Sequence, residues 1–325
     1  MKISFKTGCT LFGACGNYTD TGRVLIASTS DNEYIRGPRK PVFLTCSTGK
    51  YRIIHTPCLL KSANGELTDE GSDRGLNSAG FCWTRSWAVT KDCIPGYTDI
   101  SAKEWFLDFG SSAGCVEEAI EIMERRSRPF GVNGNYIIGD AKGFLAAIEV
   151  GIQKFEVATF FTPQESGIIT RVNRFETEIM KKLDDTKTRA AMYHETSALR
   201  QSRVASLIEK YRIVSIDTIK KILSDQKGNK QMPGTLHGAG ICSVGLTHGT
   251  VSSEIFDPTE KIFYYRHGFP CRIPGNQNHQ VYGYNVNSWT DWLPLRIGKM
   301  FQEGAYSSWD GNLTQQGYNY YSSLK

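Results

Sequence analysis

The sequence predicts an α+β protein in which antiparallel sheets pack against helices. Two observations indicate this class: β-rich runs separated by Gly, Asn and Asp turns fill the first third of the chain, and helical and strand-like segments then follow in blocks rather than in strict alternation. A chain of 325 residues can bury a substantial core, and no break in composition marks a linker. We therefore predict one domain over residues 1–325, with 300–325 as a polar, aromatic tail.

The first strands form two predicted hairpins. CTLFGAC (9–15) and RVLIAST (23–29) flank the turn sequence GNYTDTG, and PVFLTCS (41–47) and YRIIHTP (51–57) flank TGK. A further strand is predicted in GFCWTRSWAV (80–89). Apolar runs of this length are typical of strands that are covered on both faces.

The first predicted helix lies in AGCVEEAIEIMERR (113–126). Val116, Ala119 and Met123 fall on one face, and early acids with late arginines agree with the helix dipole. The pattern then predicts a hairpin at 135–150, strands at 155–161 and 167–175, helices at 194–211 and 215–225, and closing strands at 240–246, 251–257 and 262–268.

The charge distribution argues against nucleic-acid and membrane partners. The net charge is 38 − 33 = +5, and the basic stretches ERRSRPF and MKKLDDTKTR are short or mixed with acids. The opening MKISFKTG lacks the apolar run of a signal peptide, and no stretch is long enough to span a bilayer. These features predict a cytoplasmic protein.

The cysteine and histidine patterns predict no metal site. The nine cysteines show no CxxC spacing, and a disulfide framework is not expected without a secretory signal. Cys82, Cys115 and Cys242 lie in apolar patterns, where cysteine behaves as a small buried hydrophobe. His237, Cys242 and His248 match no common metal motif. No Gly-rich phosphate loop is present either, so we predict no cofactor.

The segment Gly8-Cys9-Thr10 is the strongest candidate for chemistry. If the bond between Gly8 and Cys9 were cut, Cys9 would carry an α-amine beside its own sulfur. An α-amine has an ordinary pKa of about 7.7–8.0, so it can serve as a general base for the thiol at neutral pH. A glycine before the cysteine has no Cβ to hinder the thiol from reaching the preceding carbonyl.

These three residues alone leave other readings open. Cys9 could be an ordinary strand cysteine, and Cys15 is a rival nucleophile, although Ala14 precedes it and Gly16 follows it. A cysteine peptidase that pairs an internal cysteine with His237 or His248 is another alternative.

The segments GCTLFGA (8–14) and TGRVLIASTSDNEY (21–34) resemble the start of a group of N-terminal-nucleophile hydrolases. This group comprises the relatives of acyl-coenzyme A:6-aminopenicillanic acid acyltransferase and the choloylglycine hydrolases. In them, Cys-Thr opens the first strand and Arg-Asn-x-Asp ends the second. Asp31 matches the acid, which by resemblance would hold the α-amine, whereas Ser28 and Thr29 replace the arginine and asparagine.

Further segments continue the resemblance as far as residue 271. GLNSAGFCWT (75–84) is similar to a Gly-x-Asn-x-x-Gly segment of the family, and TRVNRF (170–175) to its Thr-Asn-His-Phe segment, with Arg174 in place of the histidine. SALRQSR (197–203) resembles its Ser-x-x-Arg segment. By resemblance, the catalytic residues are Cys9, Asp31, Asn173 for the oxyanion and Arg200 in support, with Arg203 as second choice. Asn77 is predicted to bind substrate, with a structural turn residue as the alternative, and Trp83 is added because one face of its strand could line the pocket. Asp140 is predicted to be a structural turn residue.

The resemblance implies a four-layer αββα sandwich of two stacked antiparallel sheets between helices. It also implies an enzyme that removes residues 1–8 as a short propeptide and then cleaves a linear amide through a thioester. Its partner would be a small-molecule amide, and the chain could form a homo-oligomer. The missing phosphate loop favours hydrolysis over acyl transfer from coenzyme A. The alternative is a non-catalytic protein, or a Cys-His enzyme, on a similar scaffold.

Overall fold

The computed structural model describes residues 8–33, 42–44, 49–61, 67–92, 101–129, 131–184, 191–230, 239–245, 248–271, 280–281, 284–285 and 292–298. His237, most of the predicted propeptide and the predicted tail lie outside these residues. Within the described ranges, no helix is long and apolar enough to cross a membrane.

β-Strands are the most abundant secondary structure in the described chain. The strands are β1 (Thr10–Gly16), β2 (Gly22–Glu33), β3 (Val42–Leu44), β4 (Ile53–Lys61), β5 (Leu67–Asn77), β6 (Cys82–Trp87), β7 (Gly134–Gly139), β8 (Leu145–Val150), β9 (Phe155–Phe161), β10 (Gly167–Arg171), β11 (His248–Asp257), β12 (Ile262–His267), β13 (Gln280–Val281), β14 (Tyr284–Asn285) and β15 (Leu293–Arg296). The helices are α1 (Ala102–Ser112), α2 (Val116–Arg125), α3 (Glu178–Lys181), α4 (Ala191–Tyr211) and α5 (Ile216–Leu223), followed by a 3-10 turn at Lys227–Lys230.

Two antiparallel sheets form the centre of the fold. The first has the order β10-β1-β2-β11-β12-β15, and the second has the order β3-β4-β5-β6-β7-β8-β9. Every pairing between named strands of the described residues is antiparallel. β1 lies between β10 and β2 inside the first sheet, so the residues at its start are surrounded by other strands.

Three apolar layers follow from the alternation of side chains along these strands. The layer between the sheets contains Leu11 and Ile26 from the first sheet and Leu76 and Ile137 from the second. On the outer face of the first sheet, residues such as Phe12 pack against α4 and α5. On the outer face of the second sheet, strand residues pack against α1 and α2. The predicted four-layer αββα sandwich is confirmed.

Helix α1 and strand β5 are among the elements that were not predicted from the sequence. Helix α1 begins with a capping box, in which the Ser101 hydroxyl accepts from the Glu104 amide and the Glu104 carboxylate accepts from the Ser101 amide. Its buried face carries Trp105, Phe106 and Phe109. Strand β5 has the sequence LTDEGSDRGLN, which is too polar for a recognisable strand pattern, yet it pairs with β4 and β6 inside the second sheet.

Two predictions at the end of the chain are corrected. The segment predicted as a strand at 240–246 is irregular where it is described, with an isolated bridge from Val244 to Gly249. Cys242, predicted as a buried thiol, forms a disulfide with Cys271. A sequence pattern cannot indicate this pair, because its cysteines are separated by 29 residues and meet only through the packing of the segment against β11 and β12.

Candidate active site

Cys9 lies immediately before β1, at the edge of the layer between the two sheets. Its side chain belongs to the same apolar cluster as Leu11, two residues on, and is 7% exposed. The strand start is fixed by pairing of Thr10 with Thr29 of β2, and the Thr10 amide donates to the Thr29 hydroxyl over 3.1 Å. The candidate nucleophile is therefore held directly beside the paired start of a strand.

Arg200 of α4 holds the backbone around Cys9. One guanidinium nitrogen, Nη1, donates to the Gly8 carbonyl over 2.9 Å, to the Cys9 carbonyl and to the Thr10 hydroxyl. The other, Nη2, donates to the Asn173 side-chain oxygen over 3.0 Å and to Ser197. The guanidinium is fully buried, so these contacts replace the water that it would otherwise bind.

Asn173 lies just beyond β10, the other neighbour of β1. Its Oδ1 accepts from Arg200, and its Nδ2 donates to the Trp87 carbonyl over 2.7 Å. An amide nitrogen carries two hydrogens, and these contacts use one of them. Asn173 thus lies against the guanidinium that binds the Gly8 carbonyl, close to the bond that the sequence analysis singled out.

Gly8 fits tightly between these two residues. A Cβ placed at position 8 would overlap the Arg200 guanidinium and would lie 3.3 Å from Asn173 Oδ1. The Gly8 carbonyl also accepts the hydrogen bond from Arg200. A glycine at this position therefore lets the peptide bond before Cys9 sit directly against a donor.

Asp31 reaches the same region from the end of β2. Its Oδ1 accepts from the Thr250 hydroxyl of β11 over 2.6 Å, and Thr250 is paired with Asp31 in the sheet. Burial raises the pKa of the Asp31 carboxyl to about 7, while Arg200, the Thr250 hydrogen bond and Arg74 act in the opposite direction and Glu254 adds to the rise. The carboxyl can therefore change its charge near neutral pH.

Arg200 connects the acid and the thiol electrostatically. Burial lowers the pKa of the Arg200 guanidinium from its ordinary value, and the charges of Asp31 and Cys9 oppose that shift. The fold thus brings together the four predicted catalytic positions Cys9, Asp31, Asn173 and Arg200. They come from the start of β1, the end of β2, the end of β10 and α4, which are far apart in sequence.

The second-choice residues lie elsewhere. Arg203, one turn after Arg200, forms a two-point ion pair with Asp225 at 2.7 and 3.0 Å. Cys15 lies six residues beyond Cys9 on β1, where its sulfur faces the carbonyls of Glu165 and Gly167, and burial raises its pKa. A thiol with a raised pKa forms less thiolate at neutral pH, which argues against Cys15 as a nucleophile.

The side chain of Asn77, which was predicted to contact substrate, hydrogen-bonds only to backbone groups of the described chain. Its Nδ2 donates to the carbonyls of Gly110 and Ala113 over 2.9 and 2.7 Å, and its Oδ1 accepts from the amides of Ala79 and Phe81 over 3.0 Å. Two donor hydrogens and two acceptor lone pairs are all used. Asn77 joins the turn after β5 to the end of α1, and we leave it out of the proposed substrate site.

Trp83 is also corrected. It is fully buried on the outer face of the second sheet, where its ring lies edge-on to Phe109 of α1 and its Nε1 donates to the Ser72 carbonyl. Cys9 faces the opposite, inner layer. Asp140 has the structural setting that was expected, since its carboxylate accepts from the amides of Lys142, Phe144 and Val116.

Two residues of the site were missed in the sequence. Thr250 stands in a strand that was predicted only from residue 251, and its hydroxyl is the hydrogen-bond donor to Asp31. Arg74 lies in the polar strand β5. A buried Thr beside an acid leaves no sequence pattern, whereas recognition of β5 as a strand would have exposed Arg74 as a buried cation. Among the described residues, no group of three or more His, Cys, Asp or Glu side chains could hold a metal ion.

Known proteins resemble this chain in fold but not in sequence. No family model matches the sequence, and no curated protein is significantly similar to it. Among solved structures, a mutant of conjugated bile acid hydrolase from Clostridium perfringens is similar at a TM-score of 0.50 and 14% identity, covering 88% of this chain and 96% of that one.

Two further solved structures are similar at lower TM-scores. The Caenorhabditis elegans ortholog of N-acylethanolamine-hydrolyzing acid amidase gives 0.43 at 12% identity, covering 77% of this chain and 93% of that one. Penicillin V acylase from Agrobacterium tumefaciens gives 0.39 at 14% identity, covering 80% and 83%. The similarity to the bile acid hydrolase is a similarity of fold, and it agrees with the αββα sandwich that the sequence predicted.

Proposed function

We propose that this chain is a cysteine amidohydrolase that activates itself by cutting the bond between Gly8 and Cys9. One observation carries the proposal: the Arg200 guanidinium donates to the carbonyl of that bond while it also contacts Asn173 and lies near Asp31 and Cys9. A donor aimed at a carbonyl oxygen stabilises the negative charge that develops there when a nucleophile attacks the carbon. The fold shared with bile acid hydrolase supports the same class of reaction.

Activation would proceed by transfer of the Gly8 acyl group from nitrogen to sulfur. The Cys9 thiolate attacks the Gly8 carbonyl carbon, and the oxyanion is held by Arg200. The C–N bond then breaks, a thioester joins Gly8 to the Cys9 sulfur, and the α-amine of Cys9 takes up a proton. Water hydrolyses the thioester, which leaves a chain that begins at Cys9 and a peptide of residues 1–8 with a carboxylate at Gly8.

Turnover of an external amide would repeat this chemistry in the mature chain. The α-amine accepts the thiol proton, and the thiolate attacks the amide carbonyl. The side-chain amide of Asn173 donates to the oxyanion with the N–H that its contact with Trp87 leaves over. The protonated α-amine then gives its proton to the departing amine, and Asp31 holds the charged amine in place.

The acyl group leaves the sulfur in the last step. Water releases it as a carboxylic acid, and an acceptor amine in place of water would make the enzyme an acyltransferase. The proposed substrate class is a small linear amide, such as an N-acyl amino acid or the side-chain amide of a β-lactam. The cytoplasmic location and the homo-oligomer stay predictions.

The first test is the intact mass of the purified, folded protein. The proposal expects loss of residues 1–8, so that the chain begins at Cys9. The variant Cys9→Ala should keep its full length, and Cys15→Ala should mature normally because the sulfur of Cys15 lies away from the site. Active protein that retains residues 1–8 would contradict the proposal.

The second test is a hydrolysis screen over N-acyl amino acids, penicillin V and conjugated bile acids. Release of the free amine is measured for the wild type and for the two cysteine variants. The proposal expects turnover by the wild type and by Cys15→Ala, and none by Cys9→Ala. Activity that survives in Cys9→Ala but disappears in His248→Ala would instead support a Cys-His enzyme.

A further inference from the structure

Arg74 brings a second buried guanidinium to the site from the other sheet. It lies on β5 of the second sheet, yet its Nε donates to the Ser28 hydroxyl of β2 over 3.1 Å and its Nη2 donates to the Thr29 carbonyl over 3.1 Å. Ser28 and Thr29 belong to the first sheet, so the Arg74 side chain crosses the layer between the sheets. It is fully buried.

Arg74 lies in a small cluster of polar residues, formed with Ser28, Ser252 and Glu254, within an otherwise apolar layer. Glu254 of β11 pairs with Arg74 Nε at 3.2 Å and accepts from the hydroxyls of Ser28 and Ser252. Farther along the same layer, the sheets meet through residues such as Ile26 and Leu145. A buried ion pair is often no more stabilising than apolar residues of the same size, so stability alone gives a weak reason for this cluster.

One nitrogen of Arg74 remains without a hydrogen bond. Nη1 is buried and has no hydrogen-bond partner among the residues that the structure describes, and its nearest ion-pair contact is Asp73 at 3.7 Å. Thr56 on β4 and Thr84 on β6 are the residues paired with Arg74 on either side of it in the sheet. Their hydroxyls are buried and also have no hydrogen-bond partner within the described ranges. A fully satisfied structural clamp would not leave such groups.

Arg74 acts on Asp31 in two ways. It binds the carbonyl of Thr29, two residues before Asp31 on β2, and its charge favours the ionised carboxylate. The other groups that face Asp31 are Arg200 from α4, with Cys9 beside it, and Thr250 and Glu254 from β11.

Position 28 is where the sequence departs from the Arg-Asn-x-Asp pattern that it otherwise resembles. The Ser28 side chain is short, and the guanidinium of Arg74 occupies the space beside it. We propose that Arg74 is a positioning residue for the proposed reaction: across the gap between the sheets it supplies the positive charge that position 28 lacks and orients Asp31 toward the α-amine of Cys9. This role rests on the proposed function.

The test compares Arg74→Ser with the exchange variant Ser28→Arg/Arg74→Ser. Arg74→Ser should lower the rate of amide hydrolysis at least tenfold and move the acid limb of its pH profile upward by about one pH unit, because an adjacent cation that stabilises the carboxylate is lost. The exchange variant returns a guanidinium to the same space from β2. We expect it to restore at least part of the rate of hydrolysis and to move the acid limb back toward that of the wild type.

Two controls separate positioning from general stability. Arg85→Ser removes an equally buried guanidinium, which is paired with Asp73 on the opposite face of the second sheet, and should lower the melting temperature without moving the acid limb. Arg74→Lys retains the charge and should keep the acid limb near that of the wild type even if the rate falls. It also provides a test if the serine variant does not fold.

The role is wrong if folded Arg74→Ser keeps the wild-type rate and pH profile, or if Arg74→Lys moves the acid limb as far as the serine variant does. These outcomes leave the proposed function intact as long as the wild type loses residues 1–8 and turns over an amide. A wild type that does neither would overturn the proposed function, and the role of Arg74 with it.

Discussion

Asn77 and Asn173 are both buried asparagines, and both match segments of the same family, yet their surroundings differ. Asn77 uses its whole hydrogen-bonding capacity on backbone groups of one turn and one helix end. The Asn173 oxygen accepts from a buried cation beside the Cys9 peptide bond, and its amide nitrogen uses only one of its two hydrogens among the residues that the structure describes. A neutral side chain whose hydrogen bonds are all used can only hold the fold together. A side chain beside a buried cation that still has a hydrogen to donate can stabilise a charge that develops during a reaction.

The same contrast separates the two buried carboxyls Asp140 and Asp31. Asp140 accepts three backbone amides and connects a turn to the start of α2. Asp31 instead has one hydroxyl donor and two nearby guanidinium groups. Burial raises the pKa of both carboxyls, so the contrast lies in the groups around them. The predictions that follow test whether this contrast separates function from structure.

The largest effect is expected for Cys9→Ala. It should block loss of residues 1–8 and lower amide hydrolysis by about four orders of magnitude or more, because the only proposed nucleophile is removed. Intact mass and the rate of amine release measure the two effects. Normal maturation of this variant would show that another group cuts the chain.

Asp31→Asn comes next. It should lower the rate of hydrolysis by about 10³-fold, because a neutral amide cannot hold a protonated α-amine as a carboxylate does. Burial raises the pKa of Asp31 above its unfolded value, so the ionised carboxyl costs folding free energy above pH 7. The variant should therefore melt at no lower temperature than the wild type at pH 8. A full rate would exclude the assigned role.

The two asparagines give the most direct comparison. Asn173→Ala should lower kcat by about 10²–10³-fold, as expected for loss of one oxyanion donor, with a smaller effect on stability. Asn77→Ala should instead lower the free energy of unfolding by about 3 kcal/mol or more, because four backbone groups lose their partner, while the folded fraction keeps its activity. Kinetics and chemical denaturation on both variants measure the two effects, and a reversed outcome would overturn the assignment.

The smallest effect concerns pH in the wild type. The rate of hydrolysis should fall as the pH drops through about 7, since the Asp31 carboxyl becomes protonated there. A single ionisation at that pKa makes the rate at pH 6 about tenfold lower than the rate at pH 8. A pH profile between 5 and 9 is the measurement, and in Asp31→Asn the only acid limb left should be that of the α-amine, whose ordinary pKa is about 7.7–8.0.

Local patterns predicted the α+β class, whereas the four layers and the three residues around Cys9 were implied by the family resemblance. Arg200 was found through the Ser-x-x-Arg segment on α4, and Asp31 through the acid that ends the second strand. Strand β5 was missed because it carries polar residues on both faces: Arg74 contacts polar groups in the inner layer, and Asp73 pairs with Arg85 on the outer face. The disulfide between Cys242 and Cys271 depends on tertiary packing and has no local signal.

The hydrogen bond from Arg200 to the Gly8 carbonyl has one more consequence. In the proposed reaction the Cys9 sulfur attacks the Gly8 carbonyl first, so in the uncut chain this carbonyl stands in the place of the carbonyl of an outside amide. Residues 1–8 would thus act as a tethered competitive inhibitor. Each molecule would hydrolyse outside amides only after it has cleaved its own Gly8–Cys9 bond.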